Sequence, residues 1–211
     1  MRGSLRVCLA AILILGAGCT AEPEPSEQGS PDVIVPRGPG EAADVIPGDR
    51  AAEHPREVPV SDADIDYMRM MIPHHEQALV MTDLVADRAE SERVKTIAER
   101  IAVAQEGEIE MMRSWLAEYA PDADAHDHGG HAGHVDMPGM ATAEQLDELR
   151  TATGEEFDRL FCELMITHHE GALTMAEDYL PKGIEPRALE MAQEVVTTQT
   201  AEIEHLRDMM P

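Results

Sequence analysis

Two segments of this chain carry side chains that could hold a transition metal. Residues 71–81 and 165–175 both read M-I-x-H-H-E-x-A-L-x-M, which sets Met71 before His74 and His75 and Met165 before His168 and His169. Imidazole nitrogen and thioether sulfur together suit copper, above all Cu(I). Zinc would more often recruit several cysteines. A second pair of blocks, 105–110 and 199–204, reads Q-x-x-E-I-E and supplies the carboxylates of Glu108 and Glu202. Both pairs lie at an offset of 94 without a gap, and Arg113 matches Arg207 at the same offset. Two separate blocks in one register mean duplication.

The elements that must position these groups are helices. Aromatic residues make up only 3% of the chain, and runs of alternating β-branched residues are few. Ile65, Met68, Ile72, His75, Leu79 and Thr82 recur at three and four residues, the period of an amphipathic helix. Ser61 with Asp64 resembles a helix start, Ser91 caps a second helix, and Thr153 with Glu156 resembles another capping box. Residues 142–150 read as a short extra helix. Pro73 should bend the first helix or leave a carbonyl unpaired. Neither hairpin can bury its apolar stripe alone, so the expected fold is all-α: a four-helix bundle made from two duplicated helix hairpins joined by a long crossover rich in His and Met. The expected limits are 61–119 for the first repeat, 120–152 for the crossover and 153–211 for the second repeat.

On a wheel of about 100° per residue, His75 and His169 face the middle of the core and His74 and His168 lie at its flank. A shared site is therefore expected to use His75 and His169 first. Cys162 falls near His169 on this wheel and joins the candidate ligands, as do Glu108 and Glu202. Buried carboxylates and imidazoles need partners. A metal would satisfy several at once, and a His–Glu hydrogen-bonded core would do so without one. The crossover adds His126, His128, His131, His134, Met137 and Met140 within fifteen residues, a short tract of metal-binding composition.

The N-terminus carries Arg2 and Arg6, an apolar run, and small residues before Cys19. Residues 1–18 read as a signal peptide, and Cys19 as a lipidated mature N-terminus. Residues 19–60, rich in Pro, Gly and acids, read as a disordered tether. With Cys8 and Cys19 so assigned, Cys162 is left without a disulfide partner. The formal charge of −26, from 42 acids against 16 bases, excludes a nucleic-acid footprint and favours cations. Glu202-x-x-His205 has the ligand spacing of di-iron bundles, but its counterpart is Glu108-x-x-Met111, so that motif is not duplicated.

These blocks, with M-P-G-M between the copies, resemble the bacterial family of domain of unknown function 305. The resemblance implies a ferritin-like bundle and, from copper-binding periplasmic members of the CopM type, metal binding through Met71, His74, His75, Met165, His168 and His169. Thr167 in place of proline, Cys162 in place of Met68 and His205 in place of Met111 set the two copies apart. The expected function is thus a non-enzymatic metal-binding protein outside the cytoplasm, anchored to the membrane only through lipid. It would sequester or transfer copper or another transition metal. The alternatives are a helical interaction protein of the cell envelope and, weakest, a ferritin-like di-metal redox enzyme. The protein partner and the oligomeric state stay open.

Overall fold

The structure is a computed structural model that describes residues 30–35, 42–53, 58–121 and 137–210. It divides into two units, 1–57 and 58–211. The described part of the first contains two short antiparallel strands, β1 (Val33–Val35) and β2 (Asp44–Ile46), paired Val33 to Ile46. A 3-10 turn, Gly48–Glu53, follows with no buried residue. This stretch lies in the expected tether, where little periodicity pointed to regular structure.

The second unit is helical: α1 (Asp62–Thr82), α2 (Val85–Arg88), α3 (Glu92–Tyr119), α4 (Ala143–Thr151), α5 (Gly154–Tyr179) and α6 (Pro186–Arg207). The expected all-α, ferritin-like bundle of two hairpins is what the chain forms. Helix α1 packs on α3, α5 packs on α6, and the hairpins meet through α1 and α5. The starts of α1 and α3 follow the sequence reading. Ser61 and Asp64 form a capping box, and Ser91 accepts from the Val94 N–H. The Thr153–Glu156 box is not made. Thr153 takes no side-chain bond, and α5 begins instead on Gly154 at φ +65°. Pro73 lies inside an uninterrupted α1.

Two apolar clusters fill the bundle. One joins Ala78 and Met81 of α1, Ile97 and Ile101 of α3, Phe157 and Met165 of α5, and Leu206 of α6. The other joins Met68 and Met71, Ile109 and Trp115, Met175, and Val195. Every long helix therefore runs from one cluster to the other. Where it crosses between them it carries polar side chains: His74 and His75 on α1, Gln105 and Glu108 on α3, His168 and His169 on α5, Gln199 and Glu202 on α6. The duplicated blocks of the sequence are this polar layer.

The hairpins are also latched reciprocally. Asp64 on α1 accepts from the N–H groups of Ile184 and Glu185 at the start of α6, and from the Tyr179 hydroxyl. Asp158 on α5 accepts from the N–H groups of Glu90 (3.2 Å) and Ser91 (2.8 Å) at the start of α3. All three positions are related by 94, so each repeat caps the second helix of the other. Burial works against charge on Asp64, but its hydrogen bonds from Tyr179, Ser61 and Ile184 outweigh this and hold the carboxyl below its usual range. Asp158→Ala is expected to cost about 1 kcal/mol, the worth of such a cap. An unchanged urea midpoint would show that the latch carries no energy.

Candidate metal centre

All four histidines of the layer are fully buried. Two are held within their own hairpin: His75 Nε2 lies 2.6 Å from Glu108 Oε2, and His169 Nε2 lies 2.8 Å from Glu202 Oε2. The spacing is 33 residues in both copies, because the Q-x-x-E block faces the H-H-E block across each hairpin. The other two meet between hairpins. The rings of His74 and His168 pack with centroids 3.9 Å apart. His168 Nε2–H donates to the His74 carbonyl at 2.8 Å, and His74 Nε2–H donates to the Pro138 carbonyl at 3.0 Å.

The rings that meet between hairpins are thus the flanking pair, whereas the sequence reading put the central pair first for a shared site. The flank of α1 is the side that faces α5, so the flanking pair, His74 and His168, forms the contact across the pseudo-twofold. His75 and His169 face their own carboxylates.

Every ring commits Nε2 to a protein oxygen. For His74 and His168 the acceptor is a carbonyl, which fixes the proton on Nε2 and leaves a lone pair on Nδ1. The Nδ1 atoms of His74, His75, His168 and His169 are all buried and have no hydrogen-bond partner. The side-chain oxygen of Gln105 and the whole amide of Gln199 are unpartnered beside them. Buried polar atoms are rarely left so. Burial pushes the His74 imidazole down to about 4, against the pull of the Pro138 carbonyl and helped by the neighbouring His75 and His169. Burial, then the proximity of His74 and His169, holds His168 well below the ordinary imidazole range. Both rings are neutral at pH 7, as metal ligation requires.

The thioethers of the repeat are apart. Met71 and Met165 are fully buried one turn before their His pairs, but they belong to opposite apolar clusters. Among the described residues no three His, Cys, Asp or Glu side chains converge on one metal position. A metal held here would take imidazole Nδ1 atoms with help from thioether or amide groups. Cys162 is not part of this layer. It lies two helical turns before His169, about 10 Å of rise. It is free and buried, facing a cavity it shares with Met209 and Met210. Burial, then Asp158 and Glu163, push its thiol up to about 11. His205 also leaves the layer: it is exposed on the outside of α6 among Arg93 and Arg100, so the Glu202–His205 spacing builds no site.

The end of the crossover joins the centre. Met137 packs against the cluster holding Met68 and Met71. Gln77 grips Ala141 twice, through Nε2–H to its carbonyl (2.9 Å) and through Oε1 from its N–H (2.6 Å). Gly171 lets the backbone in, since a Cβ there would sit 2.0 Å from the Pro138 oxygen. Sequence reasoning did not find Gln77, Pro138 or Gly171. The available signal was that 77 and 171 are matched positions at which the two duplicated blocks differ. Met140 is partly exposed in the same turn. His126, His128, His131, His134 and Cys19 lie outside the described residues.

The model of a family described as Domain of unknown function (DUF305) matches residues 64–210. Among solved structures, a DUF305 fragment from Deinococcus radiodurans is 27% identical, with a TM-score of 0.63, covering 71% of this chain and 96% of that one. A DUF305 protein from Streptomyces coelicolor, inferred to be secreted, is 30% identical with a TM-score of 0.59, covering 69% and 90%. CopM in its Cu(II)-bound form is 30% identical with a TM-score of 0.57, covering 69% and 93%, and its Cu(I)-bound form is similar at 29%. An uncharacterised protein, L153 of Acanthamoeba polyphaga mimivirus, is 38% identical over 55 residues, 26% of this chain and 36% of that protein's length. No helix among the described residues is long and apolar enough to cross a membrane.

Proposed function

This chain belongs to the DUF305 family, and from that premise we propose that it is an extracytoplasmic protein that binds copper in its histidine layer, to sequester it or pass it on. One observation carries the reading: four buried imidazoles each commit Nε2 to a protein oxygen and leave Nδ1 with no partner. A carboxylate or carbonyl on one nitrogen orients a ring and raises the basicity of the other, the usual arrangement behind a metal-ligating histidine. Neutral imidazole suits copper as it does zinc, iron and nickel. The likeness to CopM, a protein solved with Cu(I) and Cu(II), supports the choice. In this reading Glu108 and Glu202 orient His75 and His169, and the Pro138 carbonyl orients His74. Residues 1–18 direct export, and Cys19 carries a lipid anchor, so the bundle works at the outer face of a membrane. Labelling with a radioactive fatty acid in wild type and in Cys19→Ala tests that anchor.

Competition for Cu(I) against a chromogenic chelator tests the centre. His75→Ala/His169→Ala is expected to bind at least about tenfold more weakly than wild type, in the range lost with such ligands or their partners. Equal affinity in the two proteins would leave the His–Glu bonds as a device that sets helix register, the interaction-protein reading. Deleting residues 122–136 separates any contribution of the His-rich crossover from that of the layer.

A further inference from the structure

Beside the histidine layer, at the surface between α3 and α6, lies a cavity of about 10 Å³ lined by Tyr67, Glu108, Met111, Met112, Met191 and Glu194. That is the space of one water-sized sphere. Three of the lining side chains end in thioethers, and they come from two helices. Glu108 is the carboxylate that also holds His75. The Tyr67 hydroxyl is buried, with 2% of the residue exposed, and has no hydrogen-bond partner. Burial, then the charge of Glu108, raise its pKa far above the usual value, so it stays a neutral phenol with an oxygen lone pair to offer. Met111 is 42% exposed and connects the cavity to solvent.

The duplication supplies an internal control. Shifted by 94, Tyr67 becomes Phe161, Met111 becomes His205, Met112 becomes Leu206, Met191 becomes Ile97 and Glu194 becomes Arg100. The corresponding surface cavity is indeed lined by Ile97, Arg100 and His205, together with Arg93. Of these matched positions only the layer glutamate is unchanged, Glu108 against Glu202, and Glu202 does not line the second cavity. One end of the pseudo-twofold therefore presents three thioethers and a free phenol beside its acids, and the other presents guanidinium groups, an imidazole and an alkyl chain beside Glu92 and no thioether. Core packing does not demand that contrast, because Leu or Ile fills a methionine position equally well.

The geometry points to a second binding site here, for one soft monovalent cation of the Cu(I) or Ag(I) class, held by the Met111, Met112 and Met191 thioethers with the Glu108 carboxylate. Neutral thioethers select soft cations. Calcium and magnesium demand several oxygen ligands that the cavity lacks, and structural zinc prefers thiolate and imidazole. The Glu108 carboxylate balances the charge of a monovalent cation, and Glu194 on the same lining adds to the field that favours a cation. Since Glu108 also touches His75, the site stands next to the histidine layer on the side of repeat one alone. It goes beyond the copper reading of that layer and does not require it.

The full chain labelled with ¹³C at its methionine methyl groups can be titrated with Ag(I), which is redox-inert. The first equivalents are expected to shift the methyls of Met111, Met112 and Met191 together, both in wild type and in His75→Ala/His169→Ala. Met111→Leu/Met191→Leu, a volume-conserving change that keeps the fold, is expected to lose one equivalent of Ag(I). Methyls that stay in place throughout the titration, or an unchanged Ag(I) stoichiometry in the Leu variant, would overturn the site and leave the cavity to a water molecule. Methyls that shift in wild type but not in the His variant would overturn it as a separate site. Failure of the histidine reading looks different, because the His variant would then keep all of its copper affinity.

Discussion

Acidification is expected to strip stability from the metal-free protein as pH falls from 6.5, at a slope of roughly 1 kcal/mol per pH unit for each histidine that the fold still holds neutral. His74 and His168 are neutral in the fold, with imidazoles pushed to about 4 and well below 6.5 respectively, and burial is the main cause in both. In the unfolded chain both titrate near the ordinary value. Through this window the unfolded state binds more protons, so stability is fully present above pH 6.5 and falls as pH drops. His74 alone accounts for roughly 3 kcal/mol by pH 4, a sizeable share of a domain's stability. Asp64 acts in a different window. Its carboxyl is held below 3.8, so its contribution persists to pH 4 and is lost only in stronger acid. Urea midpoints at pH 7, 6, 5 and 4.5 would check the slope, and His74→Gln/His168→Gln should flatten it. A wild-type midpoint that stays constant from pH 7 to 4.5 would mean that the layer admits protons without unfolding, and that burial does not hold these rings neutral. Bound metal on Nδ1 competes with the same protons, so loaded protein should resist acid further.

Gly171→Ala is expected to evict the 137–141 segment from its seat. The new Cβ would lie 2.0 Å from the Pro138 oxygen, 2.4 Å from the Pro138 carbonyl carbon and 2.7 Å from the Gly139 Cα. All are backbone atoms, so no side chain can swing aside, and Gly139 has no room to yield because its own Cβ position is 2.4 Å from the Thr167 carbonyl oxygen. The segment would lose the His74–Pro138 bond and both Gln77–Ala141 bonds. With the buried His74 N–H left unpaired, the loss is roughly 3 kcal/mol, offset by about 1 kcal/mol from alanine's better helix propensity. Two readouts would move together: a lower denaturation midpoint, and a His74 imidazole that titrates closer to its ordinary value once solvent reaches it. A variant as stable as wild type with His74 still near 4 would show that α5 can shift to absorb the methyl group. On the proposed copper reading, the same variant asks whether the segment covers the centre, since its removal would then speed metal uptake.

How much of this was legible beforehand follows from the range of the forces involved. Helix period, the Ser61 and Ser91 caps and the repeat at 94 are local properties, and they were enough to define the duplicated bundle and its stripe of His, Met, Gln and Glu. Helical phase also put Glu108 and Glu202 on the core faces of their helices, but it named no histidine for either; the pairings with His75 and His169 came from the packing within each hairpin. What phase could not supply was rotation and axial offset between hairpins. Those decided that the flanking His74 and His168 pack tilted against each other across the twofold, and that Met71 and Met165 fall into different apolar clusters. They also set Cys162 on a cavity that Met209 and Met210 line too, and made Asp64 and Asp158 cap each other's hairpin. The seat of the crossover on Gln77 and Gly171 depends on contacts more than sixty residues apart in one case, and on the absence of a side chain in the other. The chain by itself determined which groups point inward. Only the packing of one hairpin on the other decided which of them meet, because that choice is made by shape and burial across an interface no local pattern encodes.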